Sequence, residues 1–339
     1  MKKSRQSNIE LLRIVLILMV IILHYFNGGM GGALKHVING TPNYYLVHWL
    51  ESVSIIAVNT FVIITGYFSY KKNNIRIAKV LNLVAIMLFW GLLLSLLTVF
   101  LLHPQNITRE VLTNILKTAT NQWFVVIYCI LYLLIPYLNK MISGINQDSY
   151  KWLLAIGLFF FYFWPSFYSK VTVHDNGYGI INFVYLYLVG AYISKYHKEN
   201  KQVVKPLIIY VVCTLVVTVF SLKFGRAWDY CFIFNLFGSI AIFQAFRSIN
   251  IKQNKFINYL ATYTFAIYLI DVNGFFNKLL YRTLFHSDRY WNSNVMILNL
   301  IISVIGIYVI CIILELLRRL VFGRLFAWFM DKVELEIKA

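Results

Sequence analysis

The sequence predicts an all-α integral membrane protein, a polytopic bundle of about ten transmembrane helices with both termini in the cytoplasm. Of its 339 residues, 60% are hydrophobic and 13% are charged, whereas soluble domains carry roughly a quarter charged residues. The mean hydropathy is +0.69. Apolar runs long enough to cross a hydrocarbon core of about 30 Å recur along the whole chain. No stretch is polar enough for a separate soluble domain, so we expect a single transmembrane domain over residues 1–339.

Ten apolar segments carry this prediction. They lie near residues 9–27, 46–68, 80–102, 123–139, 152–167, 180–194, 206–222, 230–246, 257–276 and 295–317. The first segment follows basic residues, as the apolar part of a signal peptide does. Glu10 and Arg13 interrupt its start, however, and no small-residue cleavage site follows it. We therefore expect this segment to be retained as the first helix.

The distribution of Lys and Arg predicts the orientation. With the N-terminus in the cytoplasm, the inner segments hold 21 of the 31 basic residues and the outer connections hold nine. Every inner segment has at least two of them, and an odd number of helices would break this alternation. The inner set includes Lys2, Lys3 and Lys198, and the outer set includes Lys170. We expect both termini in the cytoplasm and a basic inner face that suits anionic lipid headgroups.

The net charge of +18 does not indicate a nucleic-acid partner, because the basic residues do not cluster with a recognition motif. Four cysteines lie in apolar segments without metal-binding spacing, and we interpret them as small buried side chains: Cys129, Cys213, Cys231 and Cys311. No set of His and carboxylate residues has the spacing of metal ligands either, so we predict no metal site.

The first helix carries three ionisable residues at membrane depth: Glu10, Arg13 and His24. Arg13 and His24 are eleven residues apart in the sequence. At a rotation of 100° per residue, their side chains lie about 20° apart around the helix axis and about 16 Å apart along it. One stripe therefore offers a cation near the cytoplasmic side and an imidazole much deeper. In the alternative interpretation, Arg13 reaches the inner headgroups and pairs with Glu10, and His24 is a hydrogen-bonded residue near the outer interface.

The segment from Asn8 to Arg13, continued to His24, resembles the opening of the acyltransferase 3 family. That family has an acidic residue three positions before the Arg and an R-x10-H motif in its first helix. Four later segments resemble further motifs in the same order along the chain. They are 58–67 for V-x-x-F-x-x-x-S-G-(F/Y), with Thr65 in place of Ser, 76–79 for R-x-x-R, with Lys79 last, 122–124 for a Trp-aromatic element, and 263–270 for S-x-G-I-Y-L-x-H up to the residue before its histidine.

One position departs from the family pattern, because Asp271 stands where the family has its late histidine. A carboxylate cannot replace an imidazole, but it can orient one. We hypothesise that Asp271 accepts a hydrogen bond from His24 and stabilises its protonated form, as the carboxylate of a catalytic triad does. The alternative is an Asp at the outer interface that is hydrated or paired with Lys278.

The resemblance implies a polytopic O-acyltransferase, and we expect an O-acetyltransferase acting on a cell-surface carbohydrate. His24 is the candidate general base, and a transient acyl-histidine is a second possibility. Histidine suits this role because the ordinary pKa of an imidazole lies near neutral pH. The implied donor is cytosolic acetyl-CoA, whose phosphates need cations at the inner face. The candidates are Arg13, Lys72, Arg76 and Lys79, with ordinary positive-inside topology as the alternative for Lys72 and Lys79.

The acceptor would reach His24 from the outer side. Trp123 is a candidate for stacking on a sugar, and an interfacial Trp is the alternative. Glu10, Glu51 and Asn59 are further candidate acceptor-binding residues. The glycine-rich loop at residues 27–32 is expected to be flexible and to let backbone approach a ligand closely.

Two other functions compete with the enzyme. A transporter or flippase for a lipid-linked glycan explains the helices equally well, but we find no pair of broken helices in corresponding halves. A membrane scaffold without turnover is the second rival, and Asp271 favours it.

Glu315 precedes Arg318 and Arg319 by about one turn, which predicts a salt bridge at the end of the helix. We expect a bacterial plasma-membrane protein with lipid, acyl-CoA and a carbohydrate as partners; the sequence specifies no oligomeric state.

Overall fold

A computed structural model describes residues 5–102, 108–168, 175–197, 201–333 and 336–338. Helices make up about four fifths of this described part. Four residues that contributed to the predicted orientation lie outside it: Lys2, Lys3, Lys170 and Lys198.

The first part of the chain forms α1 (Ser7–Phe26), α2 (Ala33–His36), α3 (Pro42–Ser54), α4 (Ala57–Ser69), β1 (Asn74–Arg76), α5 (Ile77–Leu102), α6 (Arg109–Thr120) and α7 (Trp123–Gly144). The start of α3 shows how the local sequence sets a boundary. The Thr41 hydroxyl accepts a hydrogen bond from the amide of Tyr44, and Pro42 fits the first helical turn because its missing N–H needs no partner there.

The rest of the chain forms α8 (Gln147–Leu158), α9 (Trp164–Phe167), α10 (Ile180–Tyr196), α11 (Val204–Ser221), α12 (Ile233–Ser248), α13 (Lys255–Leu260), α14 (Thr264–Asp271), α15 (Phe276–Lys278), α16 (Met296–Asp331) and β2 (Glu336–Lys338). A π-helical stretch, Phe159–Phe163, joins α8 to α9, and another, Leu279–Leu284, follows α15. Three 3-10 turns are Gly225–Trp228, Ala261–Tyr263 and Ser287–Arg289.

All ten predicted apolar segments overlap with these helices. Seven helical stretches of the described chain are long and apolar enough to cross a membrane: Ser7–Phe26, Pro42–Ser69, Ile77–Leu101, Arg109–Gly144, Val204–Ser221, Gly225–Ser248 and Met296–Trp328. The segments predicted at 152–167, 180–194 and 257–276 are shorter or interrupted helices. The all-α polytopic class is confirmed, and the number of crossings, the side of each terminus and the single domain stay predictions.

Two of the predicted helices are interrupted, which the sequence analysis did not find. The first break lies at residues 55–56, between α3 and α4, and the second is the 3-10 turn between α13 and α14. Ile55 and Ala261, one from each break, line the same cavity. Irregular backbone at membrane depth is tolerated where it lines a cavity, because its polar groups can be satisfied there.

The helix pair α4 and α10 packs backbone against backbone. A Cβ atom on Gly66 would lie 2.2 Å from the carbonyl oxygen of Tyr187, and a Cβ atom on Gly190 would lie 2.2 Å from that of Ile63. Each helix therefore needs a glycine where it touches the other, as small residues allow in membrane helices. Gly66 belongs to the family-like motif at residues 58–67, so this packing gives part of that motif a structural role.

The helix α1 lies at the centre of the bundle, against α3, α4, α12, α14 and α16. The four cysteines are buried free thiols, as predicted. The helix α16 has 36 residues and is therefore about 54 Å long, more than the hydrocarbon thickness. Beyond it, β2 pairs antiparallel with β1, and Arg76 lies opposite Glu336. The sequence analysis missed this sheet because three-residue strands are too short to show an alternating pattern.

Candidate active site

A row of side chains on α1 lines a cavity of about 630 Å³. The row follows the helix at spacings of three or four residues and consists of Glu10, Arg13, Ile17, Val20 and His24. Such spacings place side chains on one face of a helix. The prediction that Arg13 and His24 share a face of the first helix is confirmed, and that face borders a cavity rather than lipid.

The imidazole of His24 is hydrogen-bonded to Asp271 at the end of α14. Nδ1 of His24 lies 2.6 Å from Oδ2 of Asp271, whose side chain is fully buried while that of His24 is 15% exposed. The Tyr281 hydroxyl donates to the other oxygen, Oδ1, at 2.7 Å. Because a carboxylate only accepts hydrogen bonds, Nδ1 carries the proton, and the lone pair of Nε2 is left for a ligand in the cavity.

The hypothesised contact between His24 and Asp271 is therefore present, and the alternative partner, Lys278, is not paired with Asp271 in the described structure. Tyr281 was missed by the sequence analysis. It lies ten residues beyond Asp271, inside the π-helical stretch that follows α15, and no local pattern connects the two.

The cation of Arg13 is not neutralised by Glu10, contrary to the alternative interpretation. Among the described residues no ion pair joins them, although both line the cavity. Nε of Arg13 is buried without a hydrogen-bond partner in the described part of the chain. A buried guanidinium donor without a partner is costly, so Arg13 is ready to bind an anionic ligand.

Aromatic side chains form another wall of this cavity. The Trp123 ring stacks on Tyr230 with 5.8 Å between centroids and 27° between planes, and it meets Tyr178 edge to face at 4.8 Å. Glu51 lines the same cavity, and its Oε2 is buried without a partner among the described residues. The structure thus brings Trp123 and Glu51 together, and it adds two tyrosines that the sequence analysis missed because each lies outside the recognised motifs.

Asn59 lies behind this wall and is not among the residues that line the cavity. It is fully buried, and its amide donates to the carbonyl oxygen of Tyr230 at 2.8 Å. Its side-chain oxygen accepts a bond from Asn182 at 3.4 Å. In the structure Asn59 therefore supports the backbone of an aromatic residue rather than facing a ligand.

A second cavity, of about 830 Å³, holds the other predicted cations. Lys72, Arg76 and Lys79 line it, together with Arg13. The two cavities share part of their lining: Arg13, Leu83, Tyr128, Thr262 and Phe265. Arg13 therefore stands where a cavity with an imidazole adjoins a cavity with a cluster of cations. We call the first the His24 cavity and the second the cation cavity.

Lys72 is held at the wall of the cation cavity. Its Nζ donates to the hydroxyl of Ser69 at 3.1 Å, and the amide of Asn139 fixes the turn by donating to the carbonyls of Ser69 and Lys72, each at 2.8 Å. Desolvation, followed by the charges of Lys79 and Arg13, lowers the pKa of Lys72 below its ordinary value of 10.5. The cations repel one another, and a polyanion would relieve that repulsion.

The loop at residues 27–32 is fixed by hydrogen bonds, whereas the sequence analysis expected it to be flexible. The Arg282 guanidinium donates from Nε to the carbonyl of Met30 at 2.8 Å and from Nη2 to that of Gly28 at 3.3 Å. Two further side chains donate to the Gly31 carbonyl: Ser287 at 3.1 Å and Trp291 at 3.0 Å. The glycines shape the turn, but distant residues immobilise it, and the local sequence carries no sign of that.

A family model described as an acyltransferase domain, acyltransferase 3, matches residues 6–316. This chain belongs to the acyltransferase 3 family. It is therefore a multi-pass membrane acyltransferase, and the competing interpretations as a transporter or a scaffold receive no support from the match. No curated protein and no solved structure matched the sequence.

The matched range includes His24, Asp271 and every other predicted site residue. Within the described residues of this acyltransferase, no group of three or more His, Cys, Asp or Glu side chains is arranged to hold a metal ion. The chemistry that the site offers is that of an imidazole oriented by a carboxylate, beside cations and aromatic rings.

Proposed function

We propose that the protein is an O-acetyltransferase that moves an acetyl group from cytosolic acetyl-CoA to a hydroxyl of an envelope or exported carbohydrate. One observation carries the proposal: His24, hydrogen-bonded to Asp271, faces a cavity that adjoins a second cavity lined with cations. This arrangement offers a base for the acceptor hydroxyl and a binding surface for a phosphate-bearing donor.

The cation cavity supports CoA as the carrier of the acyl group. CoA carries several phosphate charges, and Lys72, Arg76 and Lys79 stand together with no carboxylate bonded to them among the described residues. A guanidinium matches phosphate oxygens with paired N–H groups. The long pantetheine arm can pass Arg13, at the junction of the cavities, and carry the thioester toward His24.

In the proposed reaction one proton moves from the acceptor hydroxyl to His24 and then to the leaving thiolate. Nε2 of His24 takes the proton of the acceptor hydroxyl as the hydroxyl oxygen attacks the thioester carbonyl carbon. The carbon–sulfur bond then breaks, and the leaving thiolate takes the proton from Nε2, so the products are an acetyl ester and free CoA. The Asp271 carboxylate accepts the Nδ1–H bond throughout and stabilises the imidazolium. A transient acyl-histidine is the alternative route.

The aromatic wall of the His24 cavity supports a carbohydrate acceptor. Sugars pair with proteins through apolar ring faces and hydroxyl groups, and the cavity offers both complements. Trp123, Tyr178 and Tyr230 supply aromatic surfaces, and Glu51 supplies an unpartnered buried oxygen. A bound hydroxyl group would satisfy this oxygen.

The proposed location is the plasma membrane of a bacterium, with the cation cavity toward the cytoplasm. The bias of 21 inner against nine outer basic residues supports this orientation. It places the donor cavity on the side where acetyl-CoA is made, and it leaves the acceptor to enter from the outer side.

The test compares detergent-purified wild type with His24→Ala and with His197→Ala, a histidine that is exposed and lines neither cavity. Each protein is matched by thermal melt and given radiolabelled acetyl-CoA with an envelope glycan extract. We expect transfer of label to glycan by wild type and His197→Ala and none by His24→Ala. Equal transfer by all three proteins would remove His24 from the chemistry. Label retained on wild-type protein would indicate the acyl-histidine route.

A further inference from the structure

The carboxylate of Glu315 is the centre of a buried charge network in α16. It accepts bonds from Arg318 at 2.7 and 2.8 Å and from Arg319 at 2.8 Å. The Trp90 indole also donates to it, at 3.1 Å. The side chain of Glu315 is 2% exposed, that of Arg318 is 7% exposed and that of Arg319 is 33% exposed. The predicted salt bridge is therefore confirmed, but it is buried and does not lie at the helix end.

The network lines the cation cavity. Glu315, Arg318 and Arg319 all belong to its wall, and Lys72, Arg76 and Lys79 come from a different segment of the chain. The two arginines share one carboxylate, so the network contributes a net positive charge. Within the described lining, Asp331 is the only other acidic residue.

The guanidinium groups keep N–H donors that the described protein does not use. A guanidinium has five N–H groups. Arg318 uses two of them on Glu315, and Arg319 uses one on Glu315 and two on Thr262. None of their nitrogens belongs to the buried atoms that have no partner. For Arg318 this means that Nη1, which makes no hydrogen bond in the described structure, is not a buried atom, and the Arg319 side chain is 33% exposed. Both guanidinium groups therefore keep N–H groups that a ligand can reach.

The geometry also restrains both side chains. The Arg319 guanidinium lies 4.2 Å from the Tyr263 ring centroid, and that of Arg318 lies 4.8 Å from the Phe326 ring centroid. Together with the bonds to Glu315, these contacts hold the planar groups in place before any ligand arrives. Preorganised donors lose little conformational entropy on binding, which favours recognition of a flexible polyanion.

We propose that Arg318 and Arg319 form a second phosphate-binding element for the acyl donor and that Glu315 is the residue that positions their guanidinium groups. The ligand class is a thioester carrier with a polyphosphate end. This inference rests on the proposed function, because it names further groups that the donor phosphates contact. The donor would then be held between the segment of residues 72–79 and the cytoplasmic part of α16.

The test measures equilibrium binding of CoA and of pantetheine, which has the same thiol arm and no phosphate. The variant is Arg319→Gln, and Arg324→Gln is the matched control, since Arg324 is exposed on the same helix and does not line the cavity. Hydrogen bonds to charged groups predict a rise of roughly 10- to 100-fold in the Kd for CoA. The Kd for pantetheine should not change, and the control should behave as wild type.

A second pair of variants separates positioning from folding. Arg318→Lys keeps the positive charge but loses the planar set of guanidinium N–H groups that can bind two phosphate oxygens. Glu315→Gln keeps the shape of the side chain but loses the negative charge that orients both arginines. Both should weaken CoA binding more than pantetheine binding, measured below the melting temperature of each variant so that only folded protein is compared. An unchanged Kd for CoA in Arg319→Gln, or an equal loss for both ligands, would overturn the inference. Because binding needs no turnover, a protein that binds CoA in this way without transferring acetyl groups would overturn only the proposed function.

Discussion

Nδ1 of His24 lies 2.6 Å from Oδ2 of Asp271, although the two residues are 247 positions apart in the chain. A bond of this length to a fully buried carboxylate fixes both the tautomer and the ring plane of the imidazole. The residue that departs from the family pattern is thus the direct partner of the candidate base.

The first prediction concerns this bond. Asp271→Asn removes the charge that stabilises the imidazolium, so kcat should fall about 10²- to 10⁴-fold, the usual contribution of acid–base catalysis. Acetyl transfer to glycan measures it, with a thermal melt to verify folding. Asp288→Asn is the control, because Asp288 is exposed and lines neither cavity. Unchanged turnover in folded Asp271→Asn would contradict the proposed role.

The aromatic wall predicts a selective effect on the acceptor. Trp123→Ala removes a ring that stacks on Tyr230, and the acceptor KM should rise roughly 2- to 10-fold while the KM for acetyl-CoA is unchanged. Trp123→Phe should restore part of the affinity. Trp152→Ala serves as control, since Trp152 is 71% exposed and lies outside both cavities. A rise in the KM of both substrates would point to general damage instead.

The clamp on the loop after His24 predicts a local loss of stability. Arg282→Gln removes two hydrogen bonds to the carbonyls of Met30 and Gly28, at a cost of about 1–3 kcal/mol. The melting temperature should fall, and hydrogen exchange at residues 29–32 should accelerate. Arg289→Gln, at an exposed position with no hydrogen bond from its side chain in the described structure, should leave both unchanged. Slow exchange in Arg282→Gln would show that other contacts hold the loop.

The contact between α4 and α10 predicts strong effects of single methyl groups. Gly66→Ala and Gly190→Ala each place a Cβ atom 2.2 Å from a carbonyl oxygen of the other helix, so the helices must separate. Overpacking of this kind costs about 1–3 kcal/mol, measured by thermal melt. A Cβ atom on Gly144 would meet nothing within 4 Å, so Gly144→Ala should melt as wild type does. Equal melting of all three variants would disprove the tight contact.

The lowered pKa of Lys72 predicts that CoA binding weakens at alkaline pH. Desolvation and the charges of Lys79 and Arg13 lower this pKa below 10.5 in the free protein, and a bound polyanion raises it. The affinity is therefore fully present below the free-protein pKa and is lost as the pH rises through the pKa of the complex. Calorimetric Kd values between about pH 7 and pH 10 measure this. Lys72→Gln should flatten the profile, whereas Lys71→Gln, outside the cavity, should keep it.

Much of the site was predictable because it lies on one helix. The spacing of Arg13 and His24 determines a shared face through the helical period alone, and the structure has them on one cavity wall. Trp123 was found through a motif that resembles the family's, and Glu51 was found through its charge at membrane depth. Asn59 was chosen on the same grounds, yet it faces the protein, since depth in a helix does not tell which neighbour a side chain meets.

The apolar segments, the polytopic helical class and the shared face of Arg13 and His24 on α1 followed from the sequence alone, because length, hydropathy and helical period are local properties. Only the structure shows that this face borders a cavity. The family resemblance also led to the hypothesis that Asp271 is the partner of His24, and the structure contains that bond. Two further residues came only from the tertiary structure: Tyr281, which donates to Asp271, and Arg282, which holds the loop after His24. Such contacts depend on how helices pack and where they break, and no periodicity within one segment records the position of another.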